Sequence, residues 1–578
     1  MSTEPIPVAA IQFEPRLFHK EENIRRLLDL AEQAARQGAR LVVMPEMGTT
    51  GYCWQDREEV APYVEPVPGA TTGLFAELAR RYDCYLVIGL PEEDAVNGLY
   101  YNTAVLIGPE GVIGKHRKTH PYISEPKWAA NGDLGHSVFS TPIGNIALLI
   151  CMDIHFIETA RLAGIHGADV ICHISNWLAE RTPAPYWINR AYENGCYLIE
   201  SNRWGLERGV QFSGGSCIIE PDGHIQAWRD CGDGLVSGTI RRASRPGALI
   251  RQRRPALYKE LMNNSYAWNP LDFFRLYGMR PLPAGKCSRI AVGQFAPGDD
   301  VAGNLAVITR LADRARRQGA ELLVLPELAL SGEYRGPQSA LTLDGEAVLA
   351  LMRLAVSHRL TLVAGLVEAS QEGAFYNTAL AVGPQGVIGS YRKIHLTAKD
   401  AAWAAAGNEW VAIDLPCGRV GLLLGHDLNF PEAGRILALR GCDIIACPAA
   451  LNAPAAGAHT GTRIPHNYPI ATGASPYHWL LPRVRAGENN VYLAFANAQD
   501  SSESLPVLPS GIFGPDTFLW PRRESLVVGA GDVVTEDVDT RNLDSIYPTN
   551  VVRRKDLVAM RQTHFYPDLI RCQPGETA

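Results

Sequence analysis

Short apolar runs and helical stripes alternate along this chain. Residues 8–13 form a short β-rich run. From 21 to 37 the apolar residues Ile24, Leu27, Leu28, Ala31 and Ala35 recur at helical spacing, which predicts an amphipathic helix with one buried face. Residues 41–44 read as a second, buried strand, followed by a helix-like stretch near 74–82 and a third run at 86–89. Two further runs, 103–107 and 112–118, are joined by Gly-Pro-Glu-Gly, a hairpin signal. This mixture of βα units and hairpins predicts an α/β fold with two packed mixed sheets covered by helices.

The whole pattern is then written a second time. LVVMPE returns as LLVLPE, and YYNTAVLIGPEGVIGKHRKTH as FYNTALAVGPQGVIGSYRKIH. IALLICMDIHFIETAR returns as VGLLLGHDLNFPEAGR, and RAYENGCYL as RAGENNVYL, in the same order. Repetition on this scale is duplication of a domain of about 285 residues, not a solenoid. The boundary is expected in PLPAGK, residues 281–286, which divides the chain into 1–284 and 285–578.

Composition narrows the function. At 578 residues the chain is too long for one ordinary core. A net charge of −7 argues against nucleic acid as partner, because neutralising phosphates needs a basic face. The basic stretch 241–254 reads as a solvated or inter-domain arm. No signal-peptide pattern opens the sequence, and no run of about 18 apolar residues would span a membrane. The 12 cysteines include no C-x-x-C pair, and several lie in apolar runs, as expected of reduced thiols in a cytoplasmic protein.

Three polar residues interrupt the apolar strand ends of the first half. Glu46 closes LVVMPE, Lys118 closes GVIGKHRK and Cys151 closes IALLIC. Strand ends entering loops are where α/β proteins place their chemistry. Together these side chains supply what attack on a carboxamide needs: a sulfur nucleophile, a carboxylate to move the proton, and a cation for the oxyanion. A helical pattern soon after Cys151 suggests a helix N-terminus favouring thiolate.

In these residues and their contexts the chain resembles the carbon–nitrogen hydrolase (nitrilase) superfamily. The resemblance includes Arg117–His120 (Arg-Lys-x-His), Cys151-x-Asp153, Asn176-Trp177, the Arg-Ala-x-Glu-Asn run at 190–194 and the hairpin at 215–223. It implies an αββα sandwich in each half, a Glu46-Lys118-Cys151 triad, and face-to-face packing of the halves as an intramolecular pseudo-dimer. It also implies a second carboxylate beside the lysine, for which Glu125, seven residues after Lys118, is the best match. Trp54, Trp128, Trp177 and Tyr186 are candidate apolar walls of a substrate pocket, with Asn176 beside them, although core packing explains any one aromatic equally well. His155 and His173 are further pocket candidates. His116 and His120 flank a strand end and do not share a helical turn, so neither a metal nor another cofactor is expected.

In the second half Glu327 and Lys393 take the places of Glu46 and Lys118, Asp400 that of Glu125, and Gly425 that of Cys151. Glycine forms no thioester, so this half reads as a pseudoenzyme. An Ala/Gly/Pro/Thr-rich insertion at 452–475, placed by aligning Asn452 with Asn176, is expected as a surface excursion or a cover for the partner's pocket. The expected activity is hydrolysis of non-peptide carbon–nitrogen bonds, first as a small-molecule amidase. A nitrilase, an N-carbamoyl amine or amino-acid hydrolase, and a non-enzymatic scaffold or binding protein are the alternatives. The expected partners are a small amide or related compound, no membrane, and a homo-oligomer of the fused pair as the further association the resemblance allows.

Overall fold

The computed structural model describes residues 4–178, 181–242, 247–264, 281–451, 456–463, 474–499, 508–516, 524–527, 532–541, 552–553 and 555–572. Two six-stranded sheets build the first half. One is ordered Gly234–Ile240, Ile6–Gln12, Leu41–Val43, Tyr85–Glu93, Tyr100–Gly108, Gly111–Arg117, with three parallel strands at its centre and antiparallel flanks. The other is ordered Ile225–Trp228, Cys217–Ile219, Tyr197–Asn202, Val170–Ser175, Gly144–Ile150, Val138–Thr141, again with a parallel centre. The second half repeats both orders between Cys287 and Asp539.

The central strands are apolar on both faces because both faces are covered. In Ile6–Gln12, Val8 and Ala10 join a core shared with Ile146, Leu148 and Val170 of the other sheet. The alternate residues Ala9 and Ile11 join Ile24, Leu27 and Phe75 of the covering helices Lys20–Arg36 and Ala70–Tyr82. The second of these helices begins earlier than its apolar stripe, at Ala70. There the Gly69 N–H donates to Thr72 Oγ1 at 2.8 Å and satisfies one donor of the first turn.

Helices Ile157–Ile165 and Pro185–Asn194 cover the other sheet and meet their counterparts Pro431–Leu439 and Leu481–Asn489 from the second half. Charged residues cross this buried seam in reciprocal pairs. Arg190 binds Glu488 at 2.8 Å, and Arg485 binds Glu193 at 2.6 Å. Arg161 binds Glu432 at 3.0 Å, and Arg435 binds Glu158 at 3.1 Å. Two arms also cross. In the first, which continues the basic stretch 241–254, Arg253 reaches Glu432 at 2.9 Å and Tyr258 Oη lies 2.6 Å from His395 Nε2. The arm from the second half returns the contact: Arg561 approaches Glu158 at 3.6 Å and the Gln562 amide donates to the Thr119 carbonyl.

The described part of the insertion, whose strand Ala456–His459 pairs with Ser475–Leu480 at and beyond its end, is not a free surface excursion. It packs on the first half, where the Thr462 N–H donates to the Thr182 carbonyl at 2.9 Å and His478 Nε2 lies 2.7 Å from the Pro183 carbonyl. All 12 cysteines are free, although Cys231, Cys287 and Cys572 are exposed. No helix among the described residues is long and apolar enough to cross a membrane.

Candidate active site

Three strand ends, two from one sheet and one from the other, deliver the central side chains. Glu46 follows Leu41–Val43, Lys118 follows Gly111–Arg117 directly, and Cys151 follows Gly144–Ile150 directly. The Glu46 turn lies so close to the next strand that a Cβ on Gly89 would stand 2.8 Å from the Glu46 Cα and 2.6 Å from the Pro45 carbonyl oxygen. Cys151 itself has φ +45, a left-handed conformation that non-glycine residues rarely adopt and that here accompanies the sharp turn out of the sheet.

Lys118 Nζ donates to Glu46 Oε1 at 2.7 Å and to Glu125 Oε2 at 2.6 Å. The Asn102 amide spans the same two carboxylates, at 2.6 Å to Glu46 and 2.7 Å to Glu125. Glu46 also accepts from the Asn176 backbone N–H at 2.7 Å and from its side-chain amide at 3.0 Å. Glu125 accepts from Tyr52 Oη at 3.1 Å and from the Tyr122 N–H at 2.7 Å. Glu46, Lys118, Glu125 and Cys151 are all buried. Burial opposes charge on Lys118, but Cys151, Glu125 and Glu46 outweigh it and hold the ammonium well above the usual lysine range. Burial, helped by the charge of Glu46, raises Glu125 above the ordinary carboxylate value against the pull of Lys118.

Cys151 departs from the sequence expectation of a favoured thiolate. Burial and the charges of Glu46 and Glu125 push its thiol well above the ordinary cysteine value, against Lys118 and the Asn176 N–H. A short 3-10 turn, Cys151–His155, separates the sulfur from the helix that starts at Ile157. That turn is pinned by Asp153, which accepts from Thr119 Oγ1 at 2.8 Å and the His120 N–H at 3.0 Å, and pairs with His116 Nε2 at 2.9 Å. Burial alone would raise Asp153, yet bonds from His116 and His120 hold it well below the usual carboxylate range. His173 lies behind Cys151, its Nε2 3.0 Å from the Cys151 carbonyl and its Nδ1 on Glu200.

The cavity beside Cys151 measures about 30 Å³ and is lined by Tyr122, Met152, His155, Asn176, Trp177 and Leu178. Asn176, Trp177 and His155 thus stand where a pocket was expected. Trp54 and Trp128 do not; they pack with Met47, Tyr52 and Phe212 in an apolar cluster at the Tyr52 side of Glu125. Tyr186 is fully buried and meets the His155 ring edge-on at 4.7 Å instead of facing the cavity. Sequence reading missed Asn102, although the YNTA motif that holds it stands in both halves, with Asn377 as its counterpart.

The second half keeps the polar cluster without a sulfur. Lys393 binds Glu327 at 2.6 Å and Asp400 at 2.7 Å, and the Asn377 amide again spans both carboxylates. Strand pairing corrects the alignment of the following loop. Ile146 pairs with Val170 as Val420 pairs with Ile444, a constant offset of 274 residues that puts Ala450, not Asn452, at the place of Asn176. In keeping with that offset, Trp177 and Leu451 each donate a backbone N–H at 2.8 Å, to Asn202 and Asn497 respectively. A Cβ at Gly425 would lie 2.9 Å from the Ala449 Cβ and 3.1 Å from the Leu451 Cγ, so the space for a thiol is filled.

A family model described as carbon-nitrogen hydrolase matches residues 7–245 and again 289–530. A nitrilase of Pyrococcus abyssi is 38% identical over 221 residues, 38% of this chain and 83% of that protein. The omega-amidase NIT2 of Homo sapiens is 30% identical over 263 residues, 43% of this chain and 92% of that protein. Among solved structures, an amidase from Nesterenkonia sp. is 25% identical with a TM-score of 0.39, covering 45% of this chain and 97% of its own.

Proposed function

The chain belongs to the carbon–nitrogen hydrolase family, and from that premise we propose that its first half is an amidase acting through a Cys151 thioester, with the second half catalytically silent. The observation that carries this reading is the buried Glu46–Lys118–Glu125 cluster, bonded through Asn176 and Tyr122 to the lining of the Cys151 cavity. Because the thiol is held protonated, the nucleophile forms only as the proton leaves. Glu46 takes that proton as Sγ adds to the amide carbon, and the Lys118 ammonium stabilises the oxyanion. Collapse breaks the carbon–nitrogen bond, with Glu46 returning the proton to the departing nitrogen. Water, deprotonated by Glu46, then attacks the thioester, releasing the acid and restoring the thiol. Glu125 and Asn102 keep Lys118 charged and Glu46 aimed.

An amide is favoured over a nitrile because Cys151 is followed by Met-Asp, whereas nitrilases of the superfamily tend to carry Cys-Trp-Glu. The test is ammonia release from amides, nitriles and carbamoyl compounds by the wild type and Cys151→Ala. Amide hydrolysis lost in Cys151→Ala is expected. Activity on nitriles alone, or full activity without Cys151, would overturn the reading.

A further inference from the structure

We infer that the silent half sets the size of the acyl group at the first site, through Leu557 packed behind Met152, and that this group is short and apolar. The inference rests on the proposed Cys151 amidase. Met152 follows the nucleophile directly and lines its cavity. Behind it, Met152, Phe156 and Leu557 form one buried apolar cluster, against which the cavity residue Tyr122 packs. Leu557 is fully buried, and it comes from the short helix Asp556–Ala559 that opens the second half's crossing arm. Trp177 and Leu178 also line the cavity, so its lining is largely apolar. A space of about 30 Å³ holds roughly two water-sized groups. Met is an adaptable side chain, so its position depends on what fills the space behind it.

The corresponding place in the second half is built differently. The two arms match in sequence and bonding: Tyr258 Oη accepts the Arg254 N–H at 3.0 Å and Tyr566 Oη the Gln562 N–H at 3.1 Å. That alignment sets Leu249 of the helix Ala248–Arg251 against Leu557. Leu249 is only half-buried, and the counterpart of Met152 is His426, whose Nε2 lies 3.1 Å from Gln252 Oε1. The apolar plug is therefore confined to the site that keeps its cysteine, which a role in joining the halves alone does not explain.

The test uses the full chain and straight-chain amides from acetamide to hexanamide, following ammonia. In the wild type kcat/KM is expected to fall at least about tenfold from propionamide to hexanamide. Leu557→Ala opens space behind Met152 and should narrow that gap about tenfold, with a smaller shift in the same direction from Leu557→Val, the milder variant should Leu557→Ala not fold. Leu569→Ala is the comparison. Leu569 is equally buried in the same arm but packs in the core around Leu162 and Tyr258, so the ratio should not move. A wild type that prefers hexanamide, or folded Leu557 variants with an unchanged ratio, would overturn the inference while leaving the amidase reading intact. A folded wild type that hydrolyses no amide overturns the amidase reading and the inference with it.

Discussion

At the residue scale the site is a set of charges stabilised by one another in a buried place. Removing the proposed base by Glu46→Gln keeps the shape and should lower kcat by several orders of magnitude, since the proposed base, cation and nucleophile act as a unit. Asn102 bonds to both carboxylates and would act through them, so it is a positioning residue. Replacing it by Leu should cost roughly 10- to 100-fold in kcat with KM little changed, read from steady-state kinetics on the preferred amide. Near-normal kcat in that variant would mean Lys118 and Asn176 orient Glu46 without it. Glu46, Lys118 and Cys151 were legible because each breaks an apolar strand at its end. Asn102 was not, since an asparagine inside a strand looks like any buried polar residue until the carboxylates converge on it. The thiol's raised pKa was equally hidden: it follows from burial and from two carboxylates far apart in sequence.

At the element scale the strands were readable from their apolar runs, because sheets covered on both faces leave an unmistakable signal. Loops were not. The two-residue misalignment of Asn176 with Asn452 arose because an asparagine recurs in both loops, while strand register fixes the pairing at Ala450. One consequence is that restoring the thiol by Gly425→Cys should produce no amidase activity in a Cys151→Ala background. The new Cβ would press on Ala449 and Leu451, and Asn176 has no counterpart there. Ammonia release from that double variant would contradict the filled-site account. The 3-10 turn after Cys151 depends on ionised Asp153. Because its folded pKa is depressed, its contribution to stability is full above the unfolded value of about 4 and is lost as pH falls through the folded value. Thermal melts of Asp153→Asn against wild type should therefore differ most near neutrality and converge in acid. A constant difference at every pH would contradict this.

At the scale of the whole molecule, two halves share one interior. Leu162, Ile165, Ile250 and Tyr258 of the first half belong to the core of the second, and Trp479 of the second belongs to that of the first. Duplication was plain in the sequence, and so was the equivalence of the seam helices. The first arm and the insertion were legible only as one of two alternatives each, and the second arm was not, because their partners lie hundreds of residues away. Arg190 couples the seam to the candidate site: it donates to the Ile154 carbonyl at 2.9 Å in the turn after Cys151 while binding Glu488 across the seam. Glu488→Ala leaves Arg190 and Arg485 short of a buried partner and should destabilise the protein by about 3–5 kcal/mol in chemical denaturation. The isolated segment 1–284 would expose the seam's apolar residues and should aggregate, self-pair or lose activity.

The central claim is one working nucleophile in a chain of two halves. It is tested most directly by titrating the protein with a haloacetamide while measuring residual amidase activity and mapping the modified cysteines. Activity should survive labelling of the exposed Cys231, Cys287 and Cys572, and fall in proportion to the label on Cys151, reaching zero at one equivalent there. Inactivation that follows any other cysteine, or activity that persists with Cys151 fully modified, would contradict the account.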